Sequence, residues 1–217
     1  MAEFWHSFIP GSGSGWIFMW ILLVVAGFMI AIAIERAHFI YIKSNIDAPR
    51  FMAQIRRWVA AREYQKAAAF CRRFKGKALP QIVLTGLIKA SKMKVPTFRA
   101  IQNAVDEGTL EVIPRLQART NYLAMIGNIS TLIGLMGTIY GLILAFRSVS
   151  APGIDAAEKS RLLAHGISVA MNTTLAGLSV AIPSILMYTI LHNKTTRIID
   201  EIDEHTVKLI NLMTKEE

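Results

Sequence analysis

Three stretches of this chain are long enough to cross a lipid bilayer and nearly free of ionisable side chains. Residues 16–34 carry no charge, residues 121–146 carry none, and residues 162–191 contain only His165. A hydrocarbon core of about 30 Å is crossed at about 1.5 Å per residue, so about 20 apolar residues make a spanning helix. The second and third runs exceed that length, and both helices are expected to project beyond the membrane. Composition agrees: 53% of the 217 residues are hydrophobic, 18% are charged and the mean hydropathy is +0.40, the balance of a small integral membrane protein.

Orientation follows from the cations, which are retained on the cytoplasmic side. Residues 43–119 hold sixteen of the 24 Lys and Arg, whereas the first fifteen residues hold none. That N-terminus, "MAEFWHSFIPGSGSG", lacks the basic start of a cleaved signal peptide, so the first run is expected to be a retained helix. The expected layout is a periplasmic N-terminus (1–15), a first spanning helix (16–42), a cytoplasmic helical domain (43–118), a second spanning helix (119–147), a periplasmic loop (148–160), a third spanning helix (161–193) and a cytoplasmic helical tail (194–217). The +9 charge then reports topology, and no nucleic-acid recognition motif accompanies it. The lone Cys71 rules out an internal disulfide and suits the cytoplasmic side. It also offers a reporter: an impermeant maleimide is expected to label it only after the membrane is opened.

Within 43–118, Phe51, Ile55, Trp58 and Val59 fall at helical spacing, followed by Tyr64, Ala67, Ala68 and Cys71. "KGKALPQ" breaks that run, a second runs over 81–93, and Thr97 is placed to cap a third that starts near Phe98. This third helix is expected to run directly into the second spanning segment, bent at Pro114, which removes a backbone donor. In the tail, Ile198, Ile202, Leu209 and Leu212 form a heptad-like stripe that continues the third spanning helix.

Helical projection at about 100° per residue puts Gly127, Thr131, Gly134, Thr138, Gly141 and Ala145 on one face of the second spanning helix, with Gly137 close by. Gly166, Ala170, Thr174, Gly177 and Ala181 share a face of the third. Small residues let helix backbones approach closely where lipid supplies no hydrophobic drive, so these rows, with Pro183, are expected to pack helices. Ser168, Asn172 and Ser179 lie on the other side of the third helix, and neither face suits hydrocarbon. A homo-oligomer with the second and third helices inside, and the first toward lipid, would cover both, and Gly134→Leu is expected to disrupt it. Thr138 and Thr174 could then present hydroxyls to the axis, where a hydroxyl can bond a carboxyl group, order water or ligate a cation. Neither run carries Asp, Glu, Lys or Arg, so a titrating group there would come from another protein.

"LIGLMGTIYGLILAF" followed by "GISVAMNTTLAGLSVAIPS" resembles the two signature helices of the MotA/TolQ/ExbB proton-channel family, most strongly over residues 111–192. The second stretch carries the family's pattern at Thr174, Gly177, Ala181, Ile182 and Pro183. The resemblance implies an all-α integral membrane protein of the inner membrane: three transmembrane helices, the second and third extending into the cytoplasm, in a homo-pentamer. It also implies a partner, a dimer of a single-span ExbD/TolR-like protein with a membrane aspartate facing pore threonines Thr138 and Thr174. Proton motive force would drive work on the envelope through a TonB/TolA-like or motility effector, as in TonB-dependent uptake, Tol-Pal maintenance or gliding. ExbB and TolQ proteins carry a glutamate five residues before the second threonine; here Val169 stands there, which increases dependence on the partner's carboxylate. Thr173 and Asn172 add polarity to the ion pathway and leave sodium coupling open.

The rival reading is an oligomeric membrane scaffold that passes no ions. An enzyme is not expected: no cluster has metal-ligand spacing and no nucleophile motif appears, so neither metal nor cofactor is implied. His165, near the outer end of the third helix, reads as an interfacial histidine or a proton-entry relay. Glu35 and Arg36 read as an interfacial charge pair closing the first helix.

Overall fold

The computed structural model describes residues 16–93, 96–150, 153 and 155–214, and within them all regular structure is helical. The expected 1–15 segment, part of the 148–160 loop and residues 215–217 lie outside the described residues. The helices are α1 (Trp16–Ala37), a π-helical continuation His38–Ser44, α2 (Ala48–Ala60), α3 (Tyr64–Arg73), α4 (Ala78–Ser91), α5 (Phe98–Gln117), α6 (Thr120–Val149) and the 59-residue α7 (Ala156–Thr214). Three helical stretches, beginning at Trp16, Phe98 and Ala156, are long and apolar enough to cross a membrane. The chain divides into two compact units, one comprising residues up to Ile34 with Arg119–Thr189, the other Glu35–Ala118 with Ile190–Glu217.

In the first unit α1 turns Met19 and Leu22 onto Ala176 of α7 and Ile133 of α6, while the Phe18 ring meets Tyr140 with centroids 5.7 Å apart. Another side of α1 is exposed and apolar, with Trp20, Leu23, Val24, Phe28 and Ile30 outward, the composition that hydrocarbon accepts.

The second unit is an ordinary helical core. α2 buries Phe51, Met52, Ile55 and Val59, with Asp47 capping it by accepting from the Arg50 amide at 3.2 Å. Phe51, Phe70 and Phe74 form an aromatic cluster that Trp58 joins through Phe70. α4 starts at Ala78, earlier than the sequence suggests, because Pro80 falls in its first turn where no amide donor is required. α4 and α5 approach through glycines: a Cβ at Gly86 would lie 2.9 Å from Val105 Cγ2, and one at Gly108 2.7 Å from Thr85 Oγ1. Thr97 holds the N-cap backbone position of α5, but its side chain makes no capping bond.

The expected unbroken passage from α5 into the second spanning helix does not occur. Pro114 is accommodated near the end of α5, and the helix breaks after it, at Ala118–Arg119, where Arg119 takes the left-handed conformation with φ 63°. In a continuous helix the Arg115 and Leu116 carbonyls would accept from the amides of residues 119 and 120. Here the buried guanidinium of Arg36 donates to both, Nη2 lying 2.6 Å from Leu116 O and 3.4 Å from Arg115 O. A cation beside the carbonyl end of a helix is also favourable to its dipole. Arg36 thus acts as a helix cap. Lys77 does the same for the π-helical segment, donating to Ile42 O at 2.6 Å and Asn45 O at 2.7 Å.

The tail stripe is largely where it is expected, with Met213 in place of Leu212 at its end. Ile198, Ile202, His205, Thr206, Leu209, Ile210 and Met213 are buried, whereas Leu212 is exposed. Ile198 and Ile202 line a small cavity with Ile46, Ala48 and Leu79, so the stripe packs on the unit's own helices. Burial lowers the pKa of His205, whose Nδ1 has no hydrogen-bond partner among the described residues. Cys71 is buried too, and desolvation pushes its thiol up to about 12, which removes the thiolate that maleimide needs.

Two predictions follow from these placements. Arg36→Met should strip the cap from α5, a charged hydrogen bond being worth about 2 kcal/mol, so amide exchange in its last turn should quicken roughly thirtyfold; unchanged exchange there would remove the cap. A topology reporter belongs at Lys66, whose side chain is 68% exposed, in a Cys71→Ala background. Under the orientation expected from the cations, Lys66→Cys should react with impermeant maleimide only in opened membranes, and reaction in intact spheroplasts would invert the topology.

Candidate functional site: the threonine cluster on the α6–α7 seam

α6 and α7 meet along two rows of small residues. Gly127, Ser130, Gly134, Gly137, Gly141 and Ala145 are buried on α6, and Ala170, Thr173, Gly177, Ala181 and Ser184 are buried on α7, with Gly166 half-buried. The steps of three and four residues keep each row on one face of its helix. A Cβ added at Gly177 would lie 2.7 Å from the Ser130 carbonyl and 3.0 Å from Gly134 Cα. At Gly134 it would lie 3.1 Å from the Thr173 carbonyl, and at Gly141 3.0 Å from Ala170 Cβ. Gly127 faces Ala181 and Ile185, and Gly166 packs on Ala145. The glycines are therefore used inside one chain, pairing its own helices.

The faces differ in detail from the projected ones. Thr131 is exposed and bonds its own helix at Gly127 O, 3.1 Å away, while Ser130 takes the seam position. Pro183 is exposed, and its neighbour Ser184 makes the contact, donating across the helices to Leu123 O at 2.6 Å. The sequence reading missed Ser130 and Ser184. Both could have been found as members of a 3.5-residue series of small residues, since Ser184 continues the spacing of Ala170, Thr173, Gly177 and Ala181.

Close backbones bring three threonines together. A Cβ at Gly137 would lie 2.8 Å from Thr173 Oγ1, so its absence opens the place that the buried Thr173 fills. Thr173 donates to Ala170 O at 2.7 Å, with Gly134 O at 3.4 Å. Thr138 and Thr174, both half-buried, bond each other through their hydroxyls. Thr138 Oγ1 also lies 3.1 Å from Gly134 O and 3.3 Å from Ala170 O, and Thr174 Oγ1 3.3 Å from Gly134 O.

Counting protons shows what the cluster can do. Each of the two carbonyls has one lone pair engaged by its own helix, leaving two places for three hydroxyl protons. The third proton goes to the Thr138–Thr174 bond. Three hydroxyl oxygens carry six lone pairs, and that bond engages one of them. The cluster is thus rich in acceptors and poor in donors, suited to a protonated carboxyl, a water or a cation. Asn172 does not join it: two residues from Thr174, it projects about 200° around α7 and is half-buried there. Ser179 is exposed but bonds Leu175 O at 2.8 Å, so it needs no partner from another chain. Ser168 and Val169 are half-buried and His165 is exposed. No group of His, Cys, Asp and Glu that could hold a metal occurs among the described residues.

The seam makes a graded prediction. Gly177→Leu places a branched side chain against backbone on the facing helix and should destabilise the detergent-solubilised protein by about 1–3 kcal/mol or more. Gly27, where an added Cβ would meet nothing within 4 Å, supplies the control, and Gly27→Leu should stay within about 0.5 kcal/mol of the parent. Equal thermal stability of the two variants would dismiss the seam.

The MotA/TolQ/ExbB proton channel family matches residues 76–204, more than half of the chain. Biopolymer transport protein exbB1 of Vibrio cholerae is 40% identical over 90 residues, 42% of this chain and 38% of that protein. Tol-Pal system protein TolQ of Haemophilus influenzae is 31% identical over 141 residues, 59% of this chain and 60% of its own length. These matches span about four-tenths and six-tenths of the relatives' lengths. Among solved structures, that of C. jejuni MotAB shares the fold, with a TM-score of 0.64 at 17% identity over 95% of this chain and 78% of the other. The family match reaches from α4 through the glycine seam into the tail of α7, and the chain belongs to the MotA/TolQ/ExbB proton channel family.

Proposed function

We propose that this chain is the inner-membrane channel subunit of a proton-driven machine that converts proton motive force into work on the cell envelope. Five copies surround a dimer of a single-span, ExbD/TolR-like partner, whose membrane aspartate meets the Thr138–Thr174 pair. The N-terminus is periplasmic and the C-terminus cytoplasmic. The chain's role is to pass protons to and from that partner, so it is not an enzyme. The observation that carries this reading is the acceptor-rich hydroxyl cluster on a spanning seam without Asp or Glu.

Chemically, each side supplies what the other lacks. A carboxyl entering a membrane is costly when charged, which favours its protonated form. A protonated carboxyl donates one hydrogen bond, and Thr138 and Thr174 offer acceptors for it. When the carboxyl loses its proton, the same hydroxyls can rotate and donate to the carboxylate. The pair can therefore serve both protonation states without itself titrating. Val169 adds no second carboxylate, and coupling rests on the partner's.

Thr138→Val and Thr174→Val remove the hydroxyls and keep nearly the same volume. Loss of a contact that favours the charged or transition arrangement by about 1–3 kcal/mol should slow proton flux by roughly one to two decades. The assay is proton uptake, under an imposed potential, by liposomes holding the protein and its single-span partner, with oligomer size measured in parallel. Normal flux in both variants would take the threonines out of the pathway, and lost flux with a broken oligomer would return them to packing.

A further inference from the structure

We propose that the second unit carries a binding site for one anionic phospholipid, placed where the first spanning helix leaves the membrane. A cavity of about 540 Å³ opens between the π-helical segment, the end of α3 with the turn that follows it, and α5. The polar side of its lining is basic: Lys43, Arg72, Lys75 and Arg115. None of the described lining residues is acidic. Arg115 is engaged by Glu111 at 2.9 Å, which leaves Lys43, Arg72 and Lys75, all exposed, as the charge that a ligand would meet. The other side is apolar, with Phe39 and Phe74 among Leu84, Val112 and Leu116.

Four features say why such a cavity is here. The π-helical segment closes i→i+5 hydrogen bonds and so winds more widely than an α-helix, and Phe39 and Lys43, four residues apart, share one side of it. The Phe39 ring lies beneath two cations, Arg36 at 4.7 Å and Lys43 at 5.7 Å from its centre. Lys77 fastens the basic turn to this segment through Ile42 O and Asn45 O. Gly76, at φ +92°, lets the turn pass close to the Lys43 stem, a Cβ there lying 3.9 Å from Lys43 Cε.

The occupant follows from position and shape. Phe39 and Lys43 lie two and six residues beyond the end of α1 at Ala37, so the chain itself holds them at headgroup depth, whichever way it is inserted. Basic pockets at the ends of spanning helices attract anionic headgroups, each cation near the surface adding attraction. A free phosphate would use the cations and have no need of the aromatic wall. A phospholipid uses both, its phosphate at Lys43, Arg72 and Lys75 and its first acyl carbons along Phe39 and Phe74.

The test is native mass spectrometry of the full-length, delipidated protein in detergent, titrated with phosphatidylglycerol and with phosphatidylcholine of the same acyl chains. Phosphatidylglycerol should bind at least about tenfold more tightly, and the triple variant Lys43→Gln, Arg72→Gln, Lys75→Gln should lose that preference. The single change Lys75→Glu should weaken it part of the way. A triple variant at exposed cations outside the cavity, Arg57→Gln, Lys66→Gln, Lys92→Gln, should retain it. Equal binding of the two lipids, or equal loss in both triple variants, would overturn the site. Displacement of the lipid by millimolar inorganic phosphate or ATP would reassign the cavity to a soluble anion, and displacement by poly-glutamate to an acidic polypeptide; either result would overturn the lipid.

Discussion

The contact between α6 and α7 is the constraint on which the first unit depends. In water two apolar helices are driven together by the surface they hide; in hydrocarbon that drive is absent, and association rests on close packing and polar contacts between the helices. Glycine provides the first. At Gly134, Gly137, Gly141 and Gly177 the facing atoms stand where a Cβ would be, so each backbone forms part of its neighbour's packing surface. Serine provides the second, since the Ser184 hydroxyl reaches Leu123 O on the other helix. The threonine cluster is a product of the same closeness. Thr138 and Thr174 come within reach of carbonyls on the facing helix, Ala170 O and Gly134 O, because no side chain on those two helices holds the backbones apart.

The second unit solves a different problem with charge. Helices that stop leave carbonyls without partners, and two cations are spent on them. Arg36 takes the carbonyls at the end of α5, and Lys77 those at the end of the π-helical segment. Read as a count, the basic residues set an expectation of which side of the membrane the segment occupies. Read in place, some are fasteners: Arg36 lies one residue before the end of α1 and closes α5, about 80 positions later in the chain.

How far the fold was legible depended on the kind of signal. Three spanning helices are visible as length and apolarity, which no local detail can cancel. The glycine rows were visible as well, but their direction was off by a fraction of a turn. Projection at 100° per residue fixes a row only to within one position at each step, and contact with α7 selects Ser130 over Thr131 there. The break at Ala118–Arg119 carries neither glycine nor proline, and Pro114, the visible breaker, sits where the helix can accept it. What ends α5 is a tertiary contact from Arg36, and no window of local sequence contains it. Asn172 lies on the other side of α7 from the threonine pair, as helical geometry alone places it.

The threonine cluster also constrains the chemistry that the proposed machine can use. Hydroxyls have pKa values far outside the physiological range, so no proton can rest on Thr138 or Thr174 as a charge, and their mutual bond can only reorganise. A site of this kind discriminates by geometry and leaves the charge state to its visitor. A carboxylate in place of Val169 would add a second titrating group to α7, and two carboxylates brought close cannot both ionise at ordinary cost. With valine there, a visiting carboxyl would titrate without a like charge from that position, at a pKa set by desolvation and by hydroxyls that can face it in either state. On the proposed function, the chain supplies an aligned, uncharged seat, and the field across the membrane acts on the one group that enters it.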